Sequence, residues 1–325
     1  MQNSSVSSEE NGLKIQHLWS VEQLSDDDIL FLFSWAKQFS LMSNQDLANK
    51  SFLRGEFIGS LFFENSTRTY LSFYIAARKL LAEVVQLDAA SSSLMKGESL
   101  LDTARNMEAL GCSLLVVRHH ESGIAEKLAR AVNMGIINAG DGENEHPTQA
   151  LLDAFTLWHH FALPEKKLLH GLKIAIIGDT KHSRVAKSNM RLLPRLGADV
   201  VVAGPASLML SDLHSYQVRH VENIDEAILG ADVVMMLRIQ QERMSGEVFF
   251  AKNNYLEQFG LTMPRFLKMP PHAVIMHPGP INRGVEIADE VADHGRSLIL
   301  GQAKNGVFMR MAILHGLIRA RQQKV

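Results

Sequence analysis

Short apolar runs of strand length, each followed by a polar turn, constrain this chain more than any other feature. They stand at 57–63, 83–87, 114–117, 135–138, 172–177, 199–203, 231–237 and 273–276. Segments of helical period lie between most of them, at 66–78, 98–110, 124–132, 147–160, 185–196 and 224–229. Strands that alternate with helices pair in parallel and are covered by those helices, so the pattern predicts an α/β fold. A chain of 325 residues exceeds one typical core, which predicts two domains, each a parallel sheet flanked by helices. The segment 164–171 reads as a connector, 298–300 as a last short strand and 305–321 as a closing helix.

Composition narrows the function classes. The chain is 46% hydrophobic and 21% charged with a net charge of −2, an ordinary soluble profile. A near-neutral balance argues against a dedicated nucleic-acid surface. No apolar run is long enough to span a membrane, and the polar, acidic first dozen residues lack the make-up of a signal peptide; they read as a disordered lead. The single cysteine, Cys112, precedes an apolar run and reads as a buried, inert thiol. It allows no intrachain disulfide, in keeping with a reducing, cytoplasmic location.

The stretch 57–78, FIGSLFFENSTRTYLSFYIAAR, reads as a buried strand, a polar turn and an amphipathic helix. Ser66 and Thr67 are good N-cap types, and Tyr70, Leu71, Phe73, Tyr74 and Ala77 recur at helical spacing. Backbone N–H groups without partners and the positive end of the helix dipole gather at such a start. With the hydroxyls and Arg68 added, the turn fits a phosphate cradle, and it equally fits an ordinary capped helix.

Ligands of open α/β sheets bind beyond the carboxyl ends of the strands. The polar residues that follow the apolar runs are Ser66 to Thr69, Arg118, His146 to Gln149, Lys181 to Arg184, Arg238 to Gln240, and His277 to Pro280. Arginine recurs among them, and its planar fork suits phosphate and carboxylate, so a pocket for more than one anionic group is expected. Other chemistries fit less well. No Cys-x-x-Cys, His-Glu-x-x-His, Walker lysine motif or G-x-S-x-G elbow occurs, and Gly178-Asp179 lacks the later glycines of a dinucleotide turn. Most of the 14 histidines read as surface or helix-end residues, and the 15 methionines as core filler. A pocket of arginine, threonine and histidine without nucleophile or metal points to catalysis by positioning and charge stabilisation.

The motifs FFENSTRT, SSSLMKGESLLDT, VVRH, HPTQALLD, GDTKHSRVAKS, MLRIQQER and MHPGPINRGVEI, in this order and spacing, resemble the catalytic chains of the aspartate carbamoyltransferases, within the aspartate/ornithine carbamoyltransferase superfamily. The resemblance covers nearly the whole chain after about residue 15. It implies transfer of the carbamoyl group of carbamoyl phosphate to L-aspartate, an early step of pyrimidine synthesis. It also implies a carbamoyl-phosphate domain at 1–148, to which a C-terminal helix at 303–325 returns, and an aspartate domain at 149–302. No metal or organic cofactor is implied. The family works as a homotrimer with shared active sites, and some relatives join a regulatory or dihydroorotase-like chain.

Carried onto this sequence, the resemblance gives Ser66, Thr67, Arg68 and Thr69 the phosphate of carbamoyl phosphate. Thr69, Arg118 and His146 surround its carbonyl oxygen, and Gln149 with the backbone at Gly279 and Pro280 holds its amide. Lys96, with Ser92 or Ser93, reaches into the adjacent subunit's site. Arg184, Arg238 and Gln240 take the carboxylates of aspartate. Arg68, Thr69, Arg118 and His146 are the expected catalytic groups. Asn65 departs from the family, in which proline is common at that turn; an Asx-type turn could serve instead. The enzymatic rival is ornithine carbamoyltransferase, whose motif at HPGP contains a cysteine that this chain lacks. The non-enzymatic rival is a regulatory homologue without activity, against which Lys96, Arg118, His146 and Arg238 speak.

Overall fold

The computed structural model describes residues 12–88, 97–239 and 252–323. It divides into two compact units, one of residues up to Phe155 together with Ala303 onward, the other from Thr156 to Gln302.

In the first unit, α1 (Asp26–Leu41) and α2 (Asn44–Lys50) precede β1 (Phe57–Phe62), α3 (Thr67–Lys79), β2 (Glu83–Asp88), α4 (Leu100–Ala109), β3 (Cys112–His119), α5 (Ile124–Ala129), β4 (Gly135–Asp141) and α6 (Pro147–His160). The strands form a parallel sheet in the order β2-β1-β3-β4. β2 and β4 are the two edges; β4 is buried at every position, its outer side bridged by the segment at Leu18, while β2 is not. Leu61, Met107, Leu115, Val117, Leu128 and Ile136 pack one side of the sheet. Cys112 is buried there, and burial pushes its thiol up, as an inert core cysteine requires.

α1 starts as its sequence predicts. Ser25 Oγ accepts the Asp28 N–H at 3.2 Å, and the Asp28 carboxylate accepts the Ser25 N–H at 2.9 Å. The C-terminal helix α12 (Ile299–Gln322) buries Met309, Met311, Ile313, Leu314 and Leu317 completely. On α12 His315 sits edge-on to Trp35, Phe52 and Phe39, with ring centroids 4.4, 5.1 and 6.0 Å away. Burial beside Arg319 pushes its imidazole down to about 4.

The second unit carries β5 (Lys173–Ile177), α7 (Arg184–Arg195), β6 (Asp199–Ala203), β7 (Arg219–His220), α8 (Ile224–Ile228), β8 (Val233–Met236), α9 (Lys252–Phe259), α10 (Met263–Lys268), β9 (Val274–Met276) and α11 (Asp289–Ala292). Its parallel sheet runs β7-β6-β5-β8-β9. Ile177, Val234, Phe266, Ile275, Ile287 and Val291 build its core.

Two expectations fail locally. Residues 298–300 do not form a strand. Ser297 makes one bridge to Ile275, the Leu298 N–H donates to the Ile275 carbonyl, and then α12 begins, more than a turn earlier than its sequence suggests. Leu71 and Tyr74 do not face the core; with Ile75 they form an exposed apolar face of α3, while Phe73, Ala76 and Ala77 are buried. The N-terminal lead lies outside the described residues, apart from Gly12.

Candidate active site

The first unit brings together the carboxyl ends of three neighbouring strands, β1, β3 and β4. β1 leads into α3 through residues 63–66. Ser66 is the N-cap of α3, with extended φ of −154°, yet its side chain makes no capping hydrogen bond and the first turn holds no acidic residue. The serines that start α1, α2 and α4 behave differently: each accepts the backbone N–H three residues on, and each first turn carries an aspartate. α3 therefore keeps its orphan N–H groups and positive dipole end uncompensated, the arrangement that binds an anion. Thr67 and Arg68 are exposed and Thr69 is buried. Asn65 is exposed in the turn.

Arg118 stands at the end of β3, paired with Phe62 of β1, and its carbonyl accepts the Phe63 N–H at 2.9 Å. Its guanidinium is held from two sides. Nε lies 3.2 Å from the Glu64 carboxylate, and Nη1 donates to the Ala139 carbonyl at 3.3 Å. The fork is thus oriented between the β1 turn and β4 before any substrate arrives.

His146 follows β4 by a short loop whose hub is the buried Asp141. That carboxylate accepts from the Gly123 and Glu145 N–H groups and from the Asn138 and Asn144 amides, at 2.6 to 3.2 Å. Glu145, also buried, accepts from Ser20 Oγ and the Val21 N–H, which ties the loop to the segment before α1. His146 itself is buried, with Nδ1 3.5 Å from Thr148 Oγ1, and its carbonyl accepts the Gln149 N–H at 2.9 Å. Pro147 opens α6, where its missing N–H and fixed φ suit a first helical position. Gln149 Nε2 donates to the buried Asp153 carboxylate at 2.9 Å.

In the second unit the equivalent positions follow β5, β8 and β9. Between β5 and α7 the loop is pinned: the Thr180 and Lys181 N–H groups donate to the Leu208 carbonyl, and the buried Asp179 accepts from the His182 N–H and faces its ring at 3.0 Å. Ser183 caps α7 by accepting the Ala186 N–H at 3.1 Å. Arg184, the first residue of α7, is only 4% exposed. A buried cation at the positive end of a helix dipole concentrates positive potential there. Arg238 stands just beyond β8, the neighbour of β5, so both arginines belong to adjacent strand ends. After β9 comes His277-Pro278-Gly279-Pro280. His277 Nδ1 accepts the Gly279 N–H at 2.8 Å, so the other ring nitrogen carries the proton and donates to Glu286 at 3.1 Å. Glu286 also accepts the Asn282 N–H, and the Gln302 side chain accepts the His277 N–H. Gly279, with φ of +68°, takes the left-handed conformation that glycine permits. Gly279 is half-buried and Pro280 exposed.

Ser66 to Thr69, Arg118, His146 and Gln149 thus gather in the first unit. Arg184, Arg238, Gly279 and Pro280 occupy strand ends of the second. Lys96, Ser92, Ser93 and Gln240 lie outside the described residues. Sequence reasoning missed Asp153, which touches Gln149, and Asp141, Asp179 and Glu286, which hold the loops that carry His146, Arg184 and Gly279. The density of polar residues in GDGENEH and the glutamate of RGVEI were their only local signals. Among the described residues no cluster of three or more His, Cys, Asp or Glu is arranged to hold a metal ion.

Comparison with known proteins agrees with this two-unit α/β fold. Residues 16–159 match the family model of the aspartate/ornithine carbamoyltransferase carbamoyl-P binding domain, and residues 170–317 match that of the Asp/Orn binding domain. The aspartate carbamoyltransferase catalytic subunit of Novosphingobium aromaticivorans is 46% identical, over 95% of this chain and 91% of that protein. Its counterpart in a Nocardioides species is 45% identical, over 93% and 94%. Among solved structures, aspartate transcarbamoylase of Trypanosoma cruzi in complex with carbamoyl aspartate and phosphate superposes with a TM-score of 0.80 at 30% identity, covering 94% of this chain and 96% of that one. Ornithine carbamoyltransferase of Thermus thermophilus has the same TM-score, 0.80, at 24% identity and coverage of 94% and 99%, a likeness of fold alone. The chain belongs to the aspartate/ornithine carbamoyltransferase family.

Proposed function

We propose that this chain is an aspartate carbamoyltransferase, forming N-carbamoyl-L-aspartate and phosphate from carbamoyl phosphate and L-aspartate in pyrimidine synthesis. The observation that carries the phosphate half is the helix start at Ser66, left without a side-chain cap beside the pre-oriented Arg118. The relatives at 45–46% identity, named aspartate carbamoyltransferase catalytic subunits, support aspartate as acceptor.

Chemistry follows from these groups. The neutral amine of aspartate attacks the carbamoyl carbon, a tetrahedral oxyanion forms, and the bond to the phosphate oxygen breaks. Thr69, Arg118 and His146 donate to the oxyanion; removing one such donor typically costs about 3–4 kcal/mol of transition-state stabilisation. Ser66, Thr67, Arg68 and the α3 N-terminus hold the leaving phosphate. The phosphate itself accepts the amine proton, which makes a side-chain base unnecessary. A substitution that abolishes turnover, spares binding of both substrates and is rescued by an external base would overturn that step. Gln149 and the backbone at Gly279 and Pro280 hold the carbamoyl amide, and Arg184, Arg238 and Gln240 hold the aspartate carboxylates.

Ornithine as acceptor is the second reading, and the family model that covers both Asp and Orn binding domains gives it its footing. Against it stand two arginines, which would repel a side-chain ammonium, and the absence of cysteine from His277-Pro278-Gly279-Pro280.

We further propose a cytoplasmic homotrimer in which Lys96 and a neighbouring serine complete the adjacent subunit's site. The exposed apolar face of Leu71, Tyr74 and Ile75, on the helix that starts at the phosphate site, supports its burial by a second copy. Association with a regulatory or dihydroorotase-like chain is a further part of this reading. No helix among the described residues is long and apolar enough to cross a membrane. The test of function is simultaneous assay of phosphate and carbamoyl aspartate from the purified chain. Equimolar products support the proposal; binding of both substrates without product would favour a regulatory homologue. For the shared site, Lys96→Ala and Arg68→Ala proteins should each be nearly inactive and should regain activity when mixed in re-formed oligomers. No recovery despite proven mixing would contradict it.

A further inference from the structure

α12 carries a fully buried arginine that the reaction as drawn does not use. Arg310 Nη1 donates to Ser72 Oγ on α3 at 2.9 Å and to the Gly306 carbonyl at 3.4 Å, and its guanidinium carbon lies 5.0 Å from the Phe73 ring centroid. Its Nε has no hydrogen-bond partner among the described residues. A buried guanidinium is costly unless other charges compensate it. Burial pushes Arg310 down to about 10, and the attraction of Asp153 works the other way, so it remains charged at neutral pH.

Asp153 is fully buried one turn after Gln149 on α6, and it accepts the Gln149 side-chain amide at 2.9 Å. A carboxylate offers only acceptors, so the NH₂ end of Gln149 must face Asp153, and the amide oxygen is turned away from it. We propose that Asp153 is a positioning residue that fixes this orientation, so that Gln149 presents an acceptor to the carbamoyl nitrogen and selects carbamoyl phosphate over acyl phosphates of the same shape. The inference rests on the proposed role of Gln149 in holding the carbamoyl amide. The NH₂ of carbamoyl phosphate donates to that oxygen; the methyl group of acetyl phosphate cannot, and would leave a buried acceptor unpaired. Asparagine at 153 would add an NH₂ that can donate to the Gln149 oxygen, so the glutamine amide would no longer be held in one orientation.

The test compares binding of carbamoyl phosphate, acetyl phosphate and inorganic phosphate by calorimetry, in the intact protein and in Asp153→Asn. Asp153→Asn should lower the preference for carbamoyl over acetyl phosphate roughly tenfold, about 1.4 kcal/mol, with phosphate affinity unchanged. An unchanged preference in folded Asp153→Asn protein, or an equal loss for all three ligands, would overturn the proposal. The ratio is read without turnover, so a failure to form carbamoyl aspartate would sink the functional reading while the ratio still decides the role of Asp153.

Discussion

α3 and α7 both follow an interior strand of a parallel sheet, and both begin at a serine. Ser183 closes the start of α7 by accepting the Ala186 N–H, and the buried Arg184 stands directly behind it. Ser66 leaves the start of α3 open, with its arginine exposed. The difference matches the two anions proposed. A tetrahedral phosphate is met well by several converging N–H and O–H donors, which an open helix start supplies. A planar carboxylate is met by the fork of an arginine, which works from a helix end that is already capped. In the proposed reading the same local motif is a ligand site in one unit and a scaffold in the other.

The largest expected effect breaks the first half of this comparison. Arg118→Ala should lower kcat by roughly 10²–10³, the size expected for one oxyanion donor, as steady-state rates would reveal. Wild-type kcat in that protein would remove Arg118 from the reaction. A second effect separates the units by pH. His315 titrates near 4 in the folded first unit and near 6.5 when unfolded, so the unfolded chain binds more protons between those values. The contribution of His315 to stability is full above about pH 6.5, is lost as pH drops towards 4 and is flat below, by up to about 3 kcal/mol. Chemical denaturation at pH 7.5 and 5 should show this loss, and His315→Leu should reduce it; identical pH slopes in the two proteins would contradict it.

Next in size, Arg238→Met should raise KM for aspartate roughly 10–100-fold, as loss of a charge-assisted bond does, and leave phosphate affinity unchanged. A parallel loss of phosphate binding would mean that the two anions are not handled by separate groups. The smallest effect is the sharpest on the two serines. Ser183→Ala should destabilise the protein by about 1 kcal/mol in denaturant titrations, whereas Ser66→Ala should hardly change stability and should weaken phosphate binding. Equal destabilisation by both would show that Ser66 is a structural cap after all.

Much of this architecture was legible in the sequence because parallel strands, buried on both faces, are written as continuous apolar runs. β3, β5 and β8 are such runs, and the residues that follow them are the candidate ligands. Short elements were not legible. α2 starts at a capping box of Ser43 and Asp46 but buries only Leu47, too little for an apolar period. β7 has two exposed residues and no pattern at all. The exposure of Leu71 and Tyr74 was not legible, because helical spacing gives an apolar face and not what covers it. The supporting carboxylates escaped for a related reason. Asp141 and Glu286 look like surface residues until the fold buries them among backbone N–H groups. Asp153 sits in a helix with no charge partner nearby in sequence, and the guanidinium that attracts it comes from α12.

In the proposed division of labour the first unit holds carbamoyl phosphate and the second admits a dicarboxylate acceptor. Initial rates with carbamoyl phosphate and either L-aspartate or L-ornithine, measured side by side on the same preparation, test it most directly. Carbamoyl aspartate with no detectable citrulline is the predicted result. Turnover of ornithine alone would contradict it.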